Sequence, residues 1–229
     1  MNRIDVTLLV ALKGADLYAS TAALTLRDKM GYAEELIGLK RMDYFRLTLE
    51  SEAPPEQTIE NLRRVLDRQS TFYNRNKHLY VLEWEAGQAG SGGAGDTREA
   101  LLDRWHSELA KHLQNKGGGE SGGKDPSDRF ILGGLEGFLV QVLIEDDDTS
   151  TRDSIAAKVQ SDLTAQTGSG DVKATCQHRG AVWWLALFAP DAAGAQDMAK
   201  HITVTERRDS GLLMNPNYQR AEFKPAQTL

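Results

Sequence analysis

Two residues of the sequence could form a nucleophilic pair. Cys176 and His178 are separated by one residue, so on a β-strand both side chains point to the same face. A thiol beside an imidazole is an arrangement that can activate a cysteine nucleophile. However, the sequence shows no third group that would orient the pair, and Cys176 alternates with the apolar Val172 and Ala174. We therefore expect a buried strand thiol at this position rather than a catalytic one.

Four consecutive acids, Glu145 to Asp148, offer oxygen ligands of the kind that divalent cations prefer. A metal ion needs oxygens that converge on one point, whereas adjacent residues of a strand point to opposite faces. Asp148 as the N-cap of a following helix explains the run without a metal, because acids are stabilised near a helix N-terminus. The five histidines show no metal-ligand spacing. They are His78, His106, His112, His178 and His201.

Two glycine-rich segments are similar to phosphate-binding motifs. Gly90–Gly95 matches G-x-G-x-x-G, but a dinucleotide fingerprint also needs a second parallel strand carrying an acid after the helix. Gly118–Asp125 is one residue away from a P-loop, and its last position places a carboxylate where a hydroxyl must bind magnesium. We interpret both segments as linkers and expect no nucleotide there.

The same glycines divide the chain. Ten of the 21 glycines fall between Gly87 and Gly123, and a helix is predicted between the two glycine-rich stretches. We expect this inserted helix, over about 96–116, to dock through its apolar stripe on a domain or on a partner. The stripe is Leu102, Trp105, Leu109 and Leu113. The predicted domains are repeat 1 over 1–86, a linker with its helix over 87–127, and repeat 2 over 128–229.

Each half of the chain predicts the order β-α-β-β-α-β. Two such units predict an α+β fold of two ferredoxin-like repeats, each with a four-stranded antiparallel sheet and two helices on one face. The middle two strands of the second half are expected to meet at a turn at Arg179-Gly180. The predicted strands are Val6–Leu12, Leu36–Lys40, Tyr44–Leu49 and His78–Glu85, then Phe138–Ile144, Val172–Gln177, Val182–Phe188 and Gln219–Phe223.

The predicted strand at 182–188 is apolar on both faces, with Trp183 and Leu185 on one and Trp184 on the other. Two helices on one side of a sheet cannot cover both faces, so the second face needs another cover. We expect the sheet of the first half to provide it, packed face to face in a pseudo-dimer. Trp183, Trp184 and Leu185 would then pack between the repeats. A second copy of the chain is the alternative cover.

The composition predicts a soluble cytoplasmic protein. The chain has 229 residues, of which 40% are hydrophobic, and a net charge of −6. These values exclude wholesale disorder and disfavour a general nucleic-acid binder. No apolar run is long enough to cross a membrane, and the N-terminus lacks the pattern of a secretion signal. The single cysteine excludes an internal disulfide and fits a reducing compartment.

Four strings carry a resemblance to a known family. Val6–Gly14 forms an opening strand that ends in Lys-Gly, Met30–Tyr32 closes a helix, Ile37–Leu47 carries basic and aromatic residues, and Leu212–Pro216 reads Leu-Leu-Met-Asn-Pro before the last strand. These strings resemble PurS, the small non-catalytic subunit of phosphoribosylformylglycinamidine synthase. The chain departs from that family in joining two diverged repeats, where PurS is normally one repeat that dimerises. It also has Asn74-Arg75-Asn76 in place of one Asn-Pro and the acid run at 145–148 in place of one Lys-Gly.

The resemblance implies a structural role in purine biosynthesis. PurS-like dimers bridge the ATP-using synthetase subunit and the glutaminase subunit and help to hold the path for ammonia. The chain would have no catalytic residues and no cofactor of its own, because ATP, magnesium and glutamine would belong to the partner subunits. Charged strand residues could set orientation at the partner surface, or they could form the solvated face of ordinary strands. The candidate partner-interface residues are Lys13, Lys40, Arg41, Asp43, Tyr44, Arg46, Asn215 and Pro216.

Two other functions are compatible with the predicted fold. Ferredoxin-like pairs can bind small molecules such as amino acids, which would make the chain a sensing module. A small enzyme of the dimeric α+β barrel type could use His178 or Tyr44 in a cleft. Further self-association is compatible with each of these functions.

Overall fold

The computed structural model describes residues 1–68, 74, 76–85, 91–95, 97–116, 131–132, 135–168, 170–206 and 211–229. The structure is a mixed α+β fold. Its elements, in chain order, are β1 (Asn2–Leu12), α1 (Leu17–Met30), β2 (Leu36–Ser51), α2 (Pro55–Arg68), β3 (His78–Glu85), β4 (Ser91–Gly95), α3 (Arg98–Lys116), β5 (Ile131–Leu132), β6 (Leu135–Asp146), α4 (Thr149–Thr167), β7 (Val172–Ala189), α5 (Ala192–Thr203), β8 (Gln219–Phe223) and β9 (Gln227–Thr228).

The order β-α-β-α-β occurs twice, as β1-α1-β2-α2-β3 and as β6-α4-β7-α5-β8. The first helix of each series also begins and ends in the same way. Asp16 and Asp148 are N-caps whose carboxylates accept backbone N–H groups of the first turn. Gly31 and Gly168 end these helices in the left-handed region, with φ of 84° and 69°. The local sequence therefore specifies equivalent helix boundaries in both series.

The middle of each series is one long strand instead of two. β2 runs through the predicted break between Lys40 and Tyr44, and β7 runs through the predicted turn at Arg179-Gly180. That turn is wrong. A tight hairpin needs a residue with positive φ, and Gly180 is not among the described glycines that have one. The expected order β-α-β-β-α-β is thus replaced by β-α-β-α-β.

All described strands belong to one nine-stranded sheet with the order β4-β3-β1-β2-β7-β6-β5, in which β8 and β9 also pair with β6. Strand β1 is antiparallel to both neighbours, with Leu8 opposite Phe45 of β2 and opposite Leu82 of β3. The expected face-to-face packing of two separate sheets is not confirmed, since the described strands are hydrogen-bonded in a single sheet. Equivalent pairings recur, because β3 pairs with β1 and β8 pairs with β6.

Part of the predicted linker is a strand. Ser91–Gly95, which carries most of the G-x-G-x-x-G match, pairs antiparallel with β3 and is not part of a linker. Backbone hydrogen bonds hold this segment at the edge of the sheet, although its glycines contribute little side-chain packing. The P-loop-like segment 118–125 lies outside the described residues.

The chain forms two compact units, and each combines segments of both series. α4 of the second series lies in unit 1 and α1 of the first series lies in unit 2. The predicted domains at 1–86, 87–127 and 128–229 follow the order of elements along the chain and stay a prediction. Unit 1 is Met1–Ala15, Met42–Arg98 and Glu145–Ala181, and unit 2 is Asp16–Arg41, Glu99–Ile144 and Val182–Leu229.

The core of unit 1 lies between one face of the sheet and the helices α2 and α4. Leu62 of α2 and Leu163 of α4 are buried in it beside Leu47 of β2. Because alternate strand residues point to opposite faces, Arg46 and Thr48 lie on the face that these two helices do not cover. The strand and helix residues of the cluster are Ile4, Val6, Leu8, Val10, Phe45, Leu47, Leu49, Ile59, Leu62, Val65, Leu66, Tyr80, Leu82, Val159, Leu163, Val172, Ala174 and Cys176.

In unit 2, two helices cover opposite faces of β7. Trp183 and Trp184 are 2% and 1% exposed. The ring of Trp183 lies 6.0 Å from that of Tyr18 on α1, a residue of the first series. The ring of Trp184 stacks on that of Trp105 on α3, with centroids 6.1 Å apart and planes inclined by 26°. The inserted helix therefore provides the cover that we expected from a second sheet, and its predicted docking on a domain is confirmed.

The docked face of α3 differs slightly from the predicted stripe. Leu101, Trp105 and Leu109 are buried, whereas Leu102 is half-buried, and the side chain of Leu113 lies outside the described residues. Gly38 of β2 allows this close approach, since a Cβ there would lie 2.7 Å from Leu109 Cδ2 and 3.6 Å from Trp105 Cζ2. Leu185, the third residue of the predicted packing set, is fully buried. Within the described ranges, no helix is long and apolar enough to cross a membrane.

Candidate partner-binding turns

The turn before β8 carries the predicted interface residues Asn215 and Pro216. The backbone oxygen of Asn215 accepts the N–H of Tyr218 at 3.1 Å, and its side-chain Oδ1 accepts the N–H of Asn217 at 3.0 Å. The N–H of Asn215 donates to Gln219 Oε1 at 2.9 Å. Pro216 adds a fixed φ. We call Asn215–Tyr218 the second turn, and all of its residues are exposed.

The chain before the second turn is anchored to the end of α5. The N–H of Leu212 donates to the oxygen of Ile202 at 2.8 Å, and the N–H of Met214 donates to the oxygen of Thr203 at 2.9 Å. The side chain of Met214 is buried. On the other side β8 follows directly and pairs with β6. Backbone hydrogen bonds therefore join the second turn to α5 on one side and, through β8, to β6 on the other.

The first series has a similar turn before β3, whose described residues are Asn74, Asn76 and Lys77, and we call these residues the first turn. The oxygen of Asn74 accepts the N–H of Lys77 at 2.8 Å, and Asn74 Oδ1 accepts the N–H of Asn76 at 3.0 Å. The N–H of Asn74 donates to His78 Nδ1 at 2.9 Å. The spacing of these three bonds is the same as at Asn215, although the side-chain acceptor four residues on is a ring nitrogen of His78 instead of the amide oxygen of Gln219. The hydrogen bonds of the leading asparagine therefore specify this turn, and the Asn-Pro string of the family is not required for it.

The two turns differ in the residue at their fourth position. The first turn exposes Lys77, and the second exposes Tyr218, a residue that is 69% exposed. Lys13, another predicted interface residue, lies beside the first turn, since its N–H donates to the oxygen of Lys77 at 2.8 Å. Lys13 is exposed as well. Lys77 of the first turn and the neighbouring Lys13 thus present two ammonium groups to solvent. The second turn instead presents the phenol of Tyr218.

The remaining predicted interface residues lie along β2 and away from either turn in sequence. Lys40, Arg41 and Asp43 are half-buried, and the guanidinium of Arg41 lies 5.3 Å from the ring centroid of Tyr18. Tyr44 is 7% exposed, so its ring is not available as a surface contact. Of these five residues, Arg46 is the exposed one.

Arg46 shares its face of unit 1 with a row of polar groups. Thr48 Oγ1 donates to Asp5 Oδ1 at 2.6 Å, and Gln177 Nε2 donates to Thr48 Oγ1 at 3.4 Å. Lys173 Nζ lies 4.0 Å from Glu50 Oε2 farther along the same pair of strands. These groups satisfy one another across the strands. The row can bind a surface through hydrogen bonds and charge, but it brings together no nucleophile and base.

The geometry of Cys176 does not fit a nucleophile. Its Sγ donates to the backbone oxygen of His178 at 3.4 Å, while the ring Nδ1 of His178 lies 3.2 Å from Glu145 Oε1. Burial raises the pKa of Cys176 to about 11. Because the thiolate is the reactive form, this thiol is protonated and inert at neutral pH. Cys176 is the buried strand residue that the sequence predicts.

The acid run caps a helix. Asp148 Oδ1 accepts the N–H groups of Ser150 and Thr151 at 3.0 and 3.3 Å. Hydrogen bonds from the Thr151 and Ser150 side chains lower the pKa of Asp148 to about 2. The ring of His178 pairs with Glu145, as above, and Arg179 Nη1 lies 3.9 Å from Asp146 Oδ2. Among the residues that the structure describes, no group of three or more His, Cys, Asp or Glu side chains could hold a metal ion.

Comparison with family models, with curated proteins and with solved structures finds no match to this chain. The PurS resemblance therefore stays a prediction based on the sequence strings. Sequence reasoning missed Tyr218 and Lys77 as surface residues of the turns. The signal was the asparagine that opens each turn, because an asparagine side chain commonly accepts the N–H two residues later.

Proposed function

We propose that the chain is a tandem of two ferredoxin-like, PurS-like repeats that acts by contact, as a non-catalytic component of a formylglycinamidine ribonucleotide synthase. It bridges the synthetase and glutaminase subunits, which supply ATP, magnesium and glutamine chemistry. The observation that carries this proposal is the pair of equivalent turns before β3 and β8. Hydrogen bonds to the leading asparagine close both turns, and the second turn overlaps the Leu212–Pro216 string on which the resemblance rests.

The chemistry of the described residues supports a role without catalysis. The cysteine is buried and protonated, Asp148 caps α4, Asp146 pairs with Arg179, and Glu145 lies 3.2 Å from the ring of His178. A bridge for ammonia transfer needs complementary surfaces rather than reactive groups, because ammonia that escapes to water becomes protonated and loses its nucleophilicity. Exposed turns on anchored backbone provide such surfaces at low entropic cost.

The test is reconstitution with the synthetase and glutaminase subunits of the host from which the sequence comes. We expect the three chains to form one complex by size-exclusion chromatography with light scattering, and the chain to raise glutamine-dependent activity. Activity with free ammonia is the control, since it needs the synthetase but no bridge. A mixture in which no complex forms and glutamine-dependent activity is unchanged would refute the proposal.

A further inference from the structure

A histidine lies next to the apolar contact through which α3 docks on unit 2. Trp105 stacks on Trp184 of β7, and Leu101 and Leu109 of the same helix are buried. His106 directly follows Trp105, with the two ring centroids 6.3 Å apart, and it is half-buried. Its Nε2 is buried and has no hydrogen-bond partner among the residues that the structure describes.

This setting favours the neutral imidazole over the imidazolium. A protonated imidazole carries N–H groups on both ring nitrogens together with a full positive charge. With α3 docked, the new N–H at Nε2 of His106 would be buried without an acceptor, which costs free energy that water would otherwise recover. With α3 undocked, the same ring is hydrated and can take up a proton freely.

The charge nearest to His106 on α3 itself is the carboxylate of Asp103, one turn earlier. Burial lowers the pKa of His106, and the Asp103 carboxylate acts in the opposite direction. Because Asp103 is on the same helix, it stays near the ring whether α3 is docked or undocked. The difference between the two states therefore comes from burial.

The strands beneath α3 provide no counter-charge on the side of Trp184. The alternate residues of β7 over 182–188 on that side are apolar, and Gln141 of β6, which accepts the indole N–H of Trp184 at 3.3 Å, is uncharged. On β2, Lys40 alternates with Gly38, so it lies on the side that α3 covers, and it is half-buried. A second cation on that side disfavours an imidazolium further.

We propose that α3 is a pH-sensitive cover, which stays docked while His106 is neutral and leaves the Trp184 side of the sheet when His106 takes up a proton. Release turns an apolar contact within unit 2 into exposed surface on both the helix and β7. The switch does not depend on the bridging function, because both of its states concern contacts within unit 2.

The sign and the size of the effect follow from proton linkage. The pKa of His106 is lower with α3 docked than in the hydrated, undocked helix, where it is about 6.5. Docking is therefore at full strength above about pH 6.5 and weakens as the pH falls below that value. One proton taken up with a pKa of about 6.5 weakens docking by at most about tenfold at a pH of about 5.5.

Hydrogen–deuterium exchange of the full chain at pH of about 7.5 and about 5.5 measures this release, with exchange times scaled for the intrinsic pH dependence of amide exchange. We expect the protection of α3 peptides to fall several-fold at the lower pH, while that of α5 peptides is unchanged. The near-ultraviolet circular dichroism of the Trp105–Trp184 pair should weaken over the same pH range.

Variants of the histidines identify the titrating group. His106→Gln and His106→Leu carry no charge at either pH, so the protection of α3 should then be the same at both. The matched controls are His112→Gln, at the other histidine of α3, and His201→Gln, at an exposed histidine of α5. Both controls should keep the pH dependence of the original chain.

Three results would overturn the switch. The first is a change of less than twofold in the protection of α3 in the original chain. The second is an equal pH dependence in the original chain and in both His106 variants, because another group would then control release. The third is a helix that is undocked at pH of about 7.5 in both variants, since the imidazole would then be a fixed part of the contact.

Discussion

Replacing Trp105 by alanine should strongly destabilise the chain. Trp105 is 5% exposed, stacks on Trp184, and lies against the backbone of Gly38. Truncating a buried tryptophan removes apolar burial and leaves a cavity, a loss of about 3–5 kcal/mol in the free energy of unfolding. We expect a value in this range, since the ring is the central apolar contact of α3 with the sheet of unit 2.

Urea unfolding followed by circular dichroism measures this loss, and the near-ultraviolet spectrum reports the stacked indole pair directly. Glu108→Ala is the matched control on α3, because Glu108 is exposed and its truncation should change stability by no more than about 0.5 kcal/mol. A loss below about 1 kcal/mol for Trp105→Ala, with an unchanged near-ultraviolet spectrum, would show that α3 does not cover Trp184 in solution.

Three further changes have defined outcomes. Leu163→Ala in α4 should cost about 2–5 kcal/mol in urea unfolding, because this side chain of the second series is fully buried in the core of unit 1, whereas Ser161→Ala on the same helix should be neutral. Cys176 should react slowly with a maleimide in the folded chain and rapidly in urea, since burial raises its pKa; equal rates would contradict the assigned burial. Asp148→Ala should lower the melting temperature at neutral pH, and the difference from the original chain should shrink as the pH falls from about 4 towards 2. The folded-state pKa of Asp148 is depressed to about 2, so its stabilisation is present above the unfolded pKa and is lost as it protonates; a difference independent of pH would refute the cap.

The sequence predicted local features of the fold well, because they depend on nearby residues. Asp148 is a cap, Gly31 ends α1, Cys176 is buried, and the helix after residue 96 docks through Trp105. Each of these outcomes follows from a residue pattern that is visible in the sequence. The patterns are a capping side chain, a glycine that can adopt a positive φ, and a periodic row of apolar residues.

The arrangement of the strands could not be predicted in the same way. An apolar pattern on both sides of residues 182–188 indicates two covered faces but does not say what covers them. The docked helix and a second sheet satisfy the pattern equally well. Similarly, Arg179-Gly180 has the composition of a turn, and only the strand pairing along the whole of β7 overrides it. These outcomes depend on contacts between residues distant in sequence.

The candidate site was predicted in part. The resemblance pointed to Asn215, Pro216 and Lys13, and the structure places all three at or beside exposed turns. It did not reveal the first turn, because the Pro that marks the family string is absent after Asn74. Tyr44, also predicted for the interface, is buried because its face of β2 is covered at that position.

The length of β2 has a consequence for how the chain can vary. Leu36–Arg41 belongs to unit 2 and Met42–Ser51 to unit 1, so one uninterrupted strand sets the in-and-out alternation of both. Losing a single residue near position 41 would exchange the two faces of Met42–Ser51, so the charged Arg46 would point into the core in which Phe45 and Leu47 are now buried. Losing two would restore the parity. Odd-numbered insertions and deletions within this strand should therefore be far less tolerated than even-numbered ones.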